Sequence, residues 1–359
     1  MENFENQEQK ISQTSIVKCD SCGSNMIYDA KSKGLLCIHC GSKRQIENNG
    51  KNQEIDIMQG FALDFNFDET EVSVFKCDNC GAKVTLSQGQ TASKCPFCGT
   101  AHAVEIKELK GLKPNGVIPF SIDGDNALTL SKEWARKKFF APRKFKKNLK
   151  AENVSGIYVP CFTFDSYTTS TYNGKIGRTK TRRVGSGKNA RTVTYTEWQY
   201  ISGTYYDNFD DIIVSSGSKI EQKNLDKILP YQTNSGKQFD EKYTLGFMAY
   251  HYDYEIEDCW QYAKNTIDNA LRSRILSQYV YNTVAYLNVS TKHERVTFKY
   301  VMLPVYVGNY KYAKKVYNFF VNGESGKVHG KTPISALKVI GLVVSILAVV
   351  ALIVLLTNL

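Results

Sequence analysis

The sequence predicts an α+β protein with two tandem N-terminal four-cysteine zinc ribbons, a mixed β-rich body and one C-terminal transmembrane helix. Three observations predict it. Cysteine pairs recur in matched sets near the N-terminus, the middle alternates β-branched and aromatic residues with polar ones, and an uncharged apolar run stands at the far end. The expected order is a disordered stretch (1–18), ribbon 1 (19–45), an acidic linker (46–72) and ribbon 2 (73–110). The body (111–330), a linker (331–338) and the membrane helix (339–356) follow.

The opening "MENFENQEQKISQ" carries acidic residues and no apolar core, so it does not read as a signal peptide. The ribbons come next. Cys19, Cys22, Cys37 and Cys40 read Cys-x2-Cys, fourteen residues, Cys-x2-Cys, and Cys77, Cys80, Cys95 and Cys98 repeat that spacing 58 residues later. A Cys-x2-Cys pair closes a knuckle whose sulfurs converge on one ion, and zinc at structural sites takes four tetrahedral thiolates. Gly23, Gly41, Gly81 and Gly99 follow the second Cys of each pair, where a positive φ turns the amides toward sulfur. Each gap carries turn residues, which predicts a β-hairpin between the knuckles. The expected cofactor is therefore zinc, two ions, both structural, in a reducing compartment. Redox dithiols usually come as a single CxxC rather than as matched quartets. His39 and His102 read as exposed neighbours of filled ligand sets.

Between the ribbons, Glu47, Glu54, Asp56, Asp64, Asp68, Glu69 and Glu71 face only Lys51, and a "FALDF" patch is able to dock. The body shows a second, weaker self-similarity. "VIPF" precedes the helical "DNALTLSKEWARKKFF" and then "GIYVPCFTF", while "ILPY" precedes a helical stretch from Ile256 to Val284 and then "YVMLPVYV". Two related halves sharing a core are expected. "STYNGKIGR" and "YNFFVNGESGKV" place Asn-Gly between β-formers and predict hairpins, and "TVTYTEWQYISGTYYDNF" predicts a half-buried strand. Ser131–Lys150 holds nine Lys/Arg among Trp134, Phe139, Phe140 and Phe145; Arg178–Arg191 holds six and reads as a hairpin tip. From Val339 to Leu356 the run is uncharged for 18 residues, spanning about 27 Å as a helix, close to a bilayer's apolar thickness. Lys331 and Lys338 precede it and nothing charged follows, which predicts a tail-anchored protein with its N-terminal body in the cytoplasm.

The eight knuckle cysteines, "VIPF", "FFAPRKFK", "GIYVPCF", "YVMLPVYV" and "VNGESGKVHG" resemble bacterial TFIIB-type zinc ribbon-containing proteins, over nearly the whole chain before the anchor. That resemblance implies ribbons of this type and little about activity. Some members carry a label linking them to a primosomal helicase, and this chain has no helicase motor motifs.

The net charge of +11 suits acidic partners, whether anionic lipid, an acidic protein surface or nucleic acid. Beside a membrane anchor the basic segment is expected to meet anionic lipid through Arg143, Lys144, Lys146 and Lys147. Cys161 reads as a buried small hydrophobe, His251, His293 and His329 as unpaired, and no phosphate-binding glycine loop occurs, so no catalytic role is expected. The favoured function is a membrane-tethered scaffold or adaptor binding a protein partner. The alternative is a membrane-bound regulator that binds nucleic acid through its ribbons, which are only mildly basic.

Overall fold

Two strands carry the fold, Val154–Val184 and Thr283–Tyr312, and nearly everything else is attached to one or the other. A computed structural model describes residues 17–47, 50–63, 72–85, 92–103, 106–109, 113–147, 149–151, 154–313 and 315–357. In chain order the elements begin with β1 (Met26–Asp29), β2 (Gly34–Cys37), β3 (Lys43–Arg44), β4 (Ile55–Asp56) and α1 (Ile57–Leu63). Next come β5 (Val72–Lys76), β6 (Lys83–Thr85), β7 (Ala92–Lys94), β8 (Ala101–Ala103), β9 (Ile106–Leu109) and β10 (Gly116–Val117). Then follow α2 (Gly124–Lys137), α3 (Arg143–Lys147), β11 (Val154–Val184), β12 (Arg191–Ser215), α4 (Gln222–Ile228), β13 (Lys237–Gln238) and β14 (Met248–Tyr250). The chain closes with α5 (Ile256–Ser277), β15 (Thr283–Tyr312), β16 (Lys315–Asn322), β17 (Val328–Gly330) and α6 (Ala336–Thr357).

β11 and β15 run antiparallel, from Val154 opposite Gly308 to Gly177 opposite Thr283. Their near halves are buried on both faces, and the alternation of side chains sorts two cores. Tyr158, Phe162 and Phe164 of β11 and Phe298, Tyr300, Met302 and Tyr306 of β15 enter one core beneath α2, α3 and α5. Ile157, Val159 and Cys161, with Val301, Leu303, Val305 and Val307, enter the other, against α4 and ribbon 2. Phe120 anchors the first core, stacked on Phe247 at 4.2 Å and edge-on to Tyr158 and Tyr306. Each long strand is followed by a hairpin partner, β12 on β11 and β16 on β15, so the proline-marked strands lie side by side at the centre.

Beyond the cores, β11, β12 and the first part of β15 continue as an arm. At about 3.3 Å per residue, the 31 residues of β11 span about 100 Å. α5 covers the inner face of the arm's near part. Its buried residues Ile256, Cys259, Trp260, Ala263, Ile267, Leu271 and Ile275 follow the helical spacing of the sequence. Ile275 meets Tyr172, Ile176, Ile201 and Leu287 there.

Several expectations change. Asn173-Gly174 is not a turn; it lies inside β11, paired with both β12 and β15. Pairing on both sides overrides turn propensity, and Gly174 stays because a Cβ would come within 2.9 Å of the Tyr286 carbonyl oxygen. The reversal falls instead at 185–190, between Val184 and Arg191. Asn322-Gly323 does turn the chain from β16 to β17. β12 is largely exposed rather than half-buried: of its arm portion only Ile201 and Phe209 are buried. The basic segment is two helices, α2 and α3, broken before Pro142. Its Phe145 is fully buried. α6 begins at Ala336, so Lys338 belongs to the helix. Residues 1–16 lie outside the described residues, as do Asp64 and Phe65 of the "FALDF" patch.

The segment between the ribbons is also a strap. β4 pairs with Thr297–Phe298 of β15, and α1 begins at the next residue, with Phe61 against the core. Glu54 then reaches Lys299, whose ammonium is enclosed and also holds Asp211 at 2.7 Å. Burial disfavours the charged lysine, but the carboxylates of Asp211, Asp165 and Glu54 together outweigh this and raise its pKa. Replacing Lys299 with Met should leave Asp211 buried without a counter-charge, at a cost of about 3–5 kcal/mol. Urea unfolding of the full chain checks it; a loss below about 1 kcal/mol would mean the strap does not depend on this lysine.

Candidate metal centres

Each knuckle is built by the local chain. In ribbon 1 the amide of Gly23 donates to the Cys19 carbonyl and that of Gly41 to the Cys37 carbonyl, with φ of 72° and 77°. Gly81 and Gly99 close the same turns on Cys77 and Cys95, with φ of 72° and 71°. Only glycine takes this backbone without strain, and the turn brings the two sulfurs of a pair together.

The sulfurs then meet across the pairs. Cys19 and Cys40 stand 3.5 Å apart, as do Cys22 and Cys37; Cys77–Cys98 and Cys80–Cys95 are 3.6 Å. Within each quartet all four sulfurs lie within 4.8 Å of one another. A tetrahedral zinc with bonds of about 2.3 Å needs sulfurs about 3.8 Å apart, and a disulfide needs about 2.05 Å, so the quartets fit a zinc-type ion. The Ser21 amide holds the Cys19 thiol down to about 6. Burial would raise Cys98, yet bonds from Asn79 and Thr100 hold it at about 6, while burial pushes Cys80 up to about 11. Four thiolates around zinc leave no open position. An ion held in this way would supply folding energy.

The two quartets sit differently. Ribbon 1 forms its own sheet, β1–β2–β3, with the expected hairpin between its knuckles. It touches the body through Tyr28, whose hydroxyl donates to the Phe120 carbonyl at 3.0 Å, and through Lys31 on Asp123 at 2.8 Å. Ribbon 2 is not a separate module. β5, β6 and β9 extend the body sheet through β14, and β7 pairs with β8 instead of with β6 among the described residues. Cys77 and Cys95 belong to the second core, and Phe97 lies edge-on to Tyr250 at 5.2 Å. The Lys219 ammonium donates to the Cys80 carbonyl, tying that knuckle to the body. Sequence alone treats the ribbons as equals because the spacing is identical. The signal for the difference is "CPFC" against "CIHC": Phe97 is 3% exposed, whereas Ile38 is 73% exposed and His39 also faces solvent.

The four basic candidates stand on α3 and share one neighbourhood with the base of α6. Arg143, Lys144 and Lys147 are exposed and Lys146 is half-buried. The Lys338 ammonium donates to the carbonyls of Phe139 and Ala141, both at 2.8 Å, and the Ser335 amide donates to Phe140 at 2.9 Å. α6 is 22 residues with hydropathy 3.3, long and apolar enough to cross a membrane, and none of its apolar window is buried.

Two further clusters escape sequence reasoning because their members are far apart in the chain. His293 Nδ1 lies 3.3 Å from the Ser166 hydroxyl and its Nε2 lies 3.1 Å from Asp268. Burial lowers the His293 pKa, opposing the effect of Asp268 beside it. Ser166 is enclosed beneath α5, so this relay ties helix to arm and presents no nucleophile. Asp165, Asp210 and Asp211 also converge, and burial pushes Asp165 up to about 7. The Lys299 ammonium already supplies the cation there.

Metal analysis of the full chain should give about two equivalents of zinc. Cys19→Ser with Cys22→Ser, and Cys77→Ser with Cys80→Ser, should each remove one. The second pair should lower the unfolding midpoint of the body far more than the first, because its quartet is part of a core. Equal losses would contradict the difference in seating.

No family model and no solved structure matches the chain. A curated relative does: the "Uncharacterized protein YdjG" of Bacillus subtilis (strain 168) is 30% identical over 327 residues, covering 90% of this chain and 91% of the relative. On that extent of likeness the chain belongs to the YdjG family.

Proposed function

We propose that the protein is a membrane-tethered scaffold: α6 anchors it, the body and ribbons face the cytoplasm, and ribbon 1 receives a protein partner. The observation that carries the reading is the seating of α6 against the turn between α2 and α3. A tether rooted there holds α3 within about one Debye length of the headgroups, where each exposed Lys or Arg gains about 1 kcal/mol from anionic lipid. Phe139 is exposed beside that root and is able to enter the interface. Lysine precedes the span, in keeping with a cytoplasmic body.

The TFIIB-type reading of the ribbons accords with this role and adds no activity of its own. The knuckle surface that ribbon 2 spends on its own body is open on ribbon 1, where Ile38 and His39 offer an apolar contact with a polar rim. Nucleic-acid recognition by the ribbons is less favoured, since that knuckle presents no arginine or lysine at its tip.

Carbonate washing should leave the full chain in membranes and release a chain truncated after Gly330. External protease on intact cells should spare the ribbons; their digestion would place the body outside. The truncated chain should bind vesicles containing anionic lipid, less so as salt rises. Changing Arg143, Lys144, Lys146 and Lys147 to Gln should remove most of that binding. Unchanged binding would exclude α3 as the contact.

A further inference from the structure

The distal arm is the largest feature that the tether and ribbons leave unused. Past Thr283, where β15 begins, only β11 and β12 continue, from Arg178 opposite Glu197 to Val184 opposite Arg191. Singly exposed aromatic residues are ordinary on protein surfaces. Here they share a face. Register places Lys175 between Tyr200 of β12 and Tyr286 of β15, and sets Trp198 opposite Gly177 on the same side. Tyr206, opposite Thr169, and Tyr167 continue that face toward the body. Trp198, Tyr200, Tyr206 and Tyr286 are all exposed, Tyr200 and Tyr206 by more than 70%.

Local packing lays the indole over the sheet. A Cβ on Gly177 would meet the Trp198 ring at 3.0 Å, so the absent side chain leaves room for the ring to lie above the backbone. Trp198 is 45% exposed in that position. The Lys175 ammonium sits 5.4 Å from the Trp198 ring centre and 5.1 Å from that of Tyr200, which orders both rings beside a cation. Neighbouring positions on the face carry Thr169, Thr171, Asn173, Ser202 and Thr204, hydroxyls and amides without charge.

The charge at the tip has one sign. Lys175, Arg178, Lys180, Arg182, Arg183 and Arg191 crowd the hairpin, with no Asp or Glu between Lys175 and Arg191. Alternation puts Arg183 on the aromatic face and Arg178, Lys180 and Arg182 on the other, so both faces of the tip are basic. Glu197, beyond the turn, neutralises only Lys180, at 2.6 Å.

We propose that this arm binds single-stranded nucleic acid, with bases stacking on Trp198, Tyr200 and Tyr286 and phosphates on Lys175 and the tip arginines. Antiparallel sheets that present aromatic rings take unstacked bases in this way, and cationic grooves beside them track the backbone. Trp198 and Tyr200 are two residues apart on one strand, about 7 Å, so each ring takes a separate base. A duplex hides its base faces and leaves the rings nothing to stack on. Anionic lipid would satisfy the arginines and takes Trp and Tyr at its interface, but the indole laid over the sheet offers its face for stacking rather than a side chain for insertion. In the cell this role needs the cytoplasmic body proposed above, whereas binding by purified protein does not, so the two readings fail separately.

The test uses the full zinc-loaded chain in nanodiscs of neutral phosphatidylcholine and labelled 20-nucleotide oligo(dT) and oligo(U), read by anisotropy. Binding should survive physiological salt and exceed that of a 20-base-pair duplex. Trp198→Ala and Tyr200→Ala should each weaken it at least about fivefold, and Trp198→Phe should recover most of the loss. The triple change Arg178→Gln, Arg182→Gln, Arg183→Gln should reduce the slope of log affinity against log salt by about 2. Zinc content and unfolding midpoint should not move, since these side chains lie outside the cores. Absence of binding at micromolar protein overturns the proposal. Equal affinity for duplex with no effect of the ring changes would reduce the arm to a general polyanion contact and also overturn it. A preference for anionic vesicles over oligonucleotide would assign it to the membrane.

Discussion

The antiparallel pairing of β11 with β15 is the constraint on which the molecule depends. The two strands meet through 23 aligned pairs, and every other part of the body is fixed by its distance along them. Near one end both faces are covered, so odd and even residues feed two separate cores. Farther out the helix covers one face only, then neither, and the same strands become an arm. A one-residue slip of β15 against β11 would send Phe298 and Tyr300 into the aliphatic core and Val301 and Leu303 into the aromatic one. The register is therefore held by the difference in size between the two sets of side chains.

Much of this was legible. The Cys spacing, the glycines after each knuckle, the spacing of Ile256 through Ile275 and the long apolar C-terminal helix all report local chemistry, and local chemistry is written in consecutive residues. What failed depends on distant partners. Asn173-Gly174 carries a turn signal that cannot reveal two flanking strands. Phe97 and Ile38 look alike in sequence until Tyr250 arrives beside one of them. Ser166, His293 and Asp268 come from three elements, so no spacing links them. The strap reads from sequence as acidic with a "FALDF" patch able to dock, and Phe61 does pack on the core; what the sequence hides is that Glu54 is held by Lys299, a lysine in the middle of an apolar strand.

The repeated ribbon now has a physical account. A ribbon alone is too small to bury a core, so its metal must supply its folding energy. Ribbon 2 has been absorbed: its strands lengthen the body sheet, its knuckle residue Phe97 fills a cleft, and its metal-binding sulfurs are part of a large core. Ribbon 1 keeps its own small sheet and leans on the body through Tyr28, Ala30, Lys31 and the Leu245 loop. The same device is thus built once into the body and once onto its surface, a difference set by the sheet added through β14, by Lys219 on the Cys80 carbonyl and by Phe97 in the second knuckle.

Placement of charge follows a similar division. Acidic groups are drawn inward, with Glu54 and Asp211 on Lys299 and Asp123 capping α2 while holding Lys31. Basic groups gather at two outer sites far apart in sequence, α3 and the arm tip. Surface lysines and arginines repel one another at such density and weaken the fold slightly. The cost is smallest where the chain is locally rigid: α3 is pinned through Phe145, and the tip is held by strand pairing. Each cluster also sits beside exposed aromatic rings, Phe139 in one case and Trp198 with Tyr200 in the other. A purely solvating surface has no need of rings next to its cations. The pairing of the two at both sites is the physical reason to regard each as a contact surface rather than as a means of solubility.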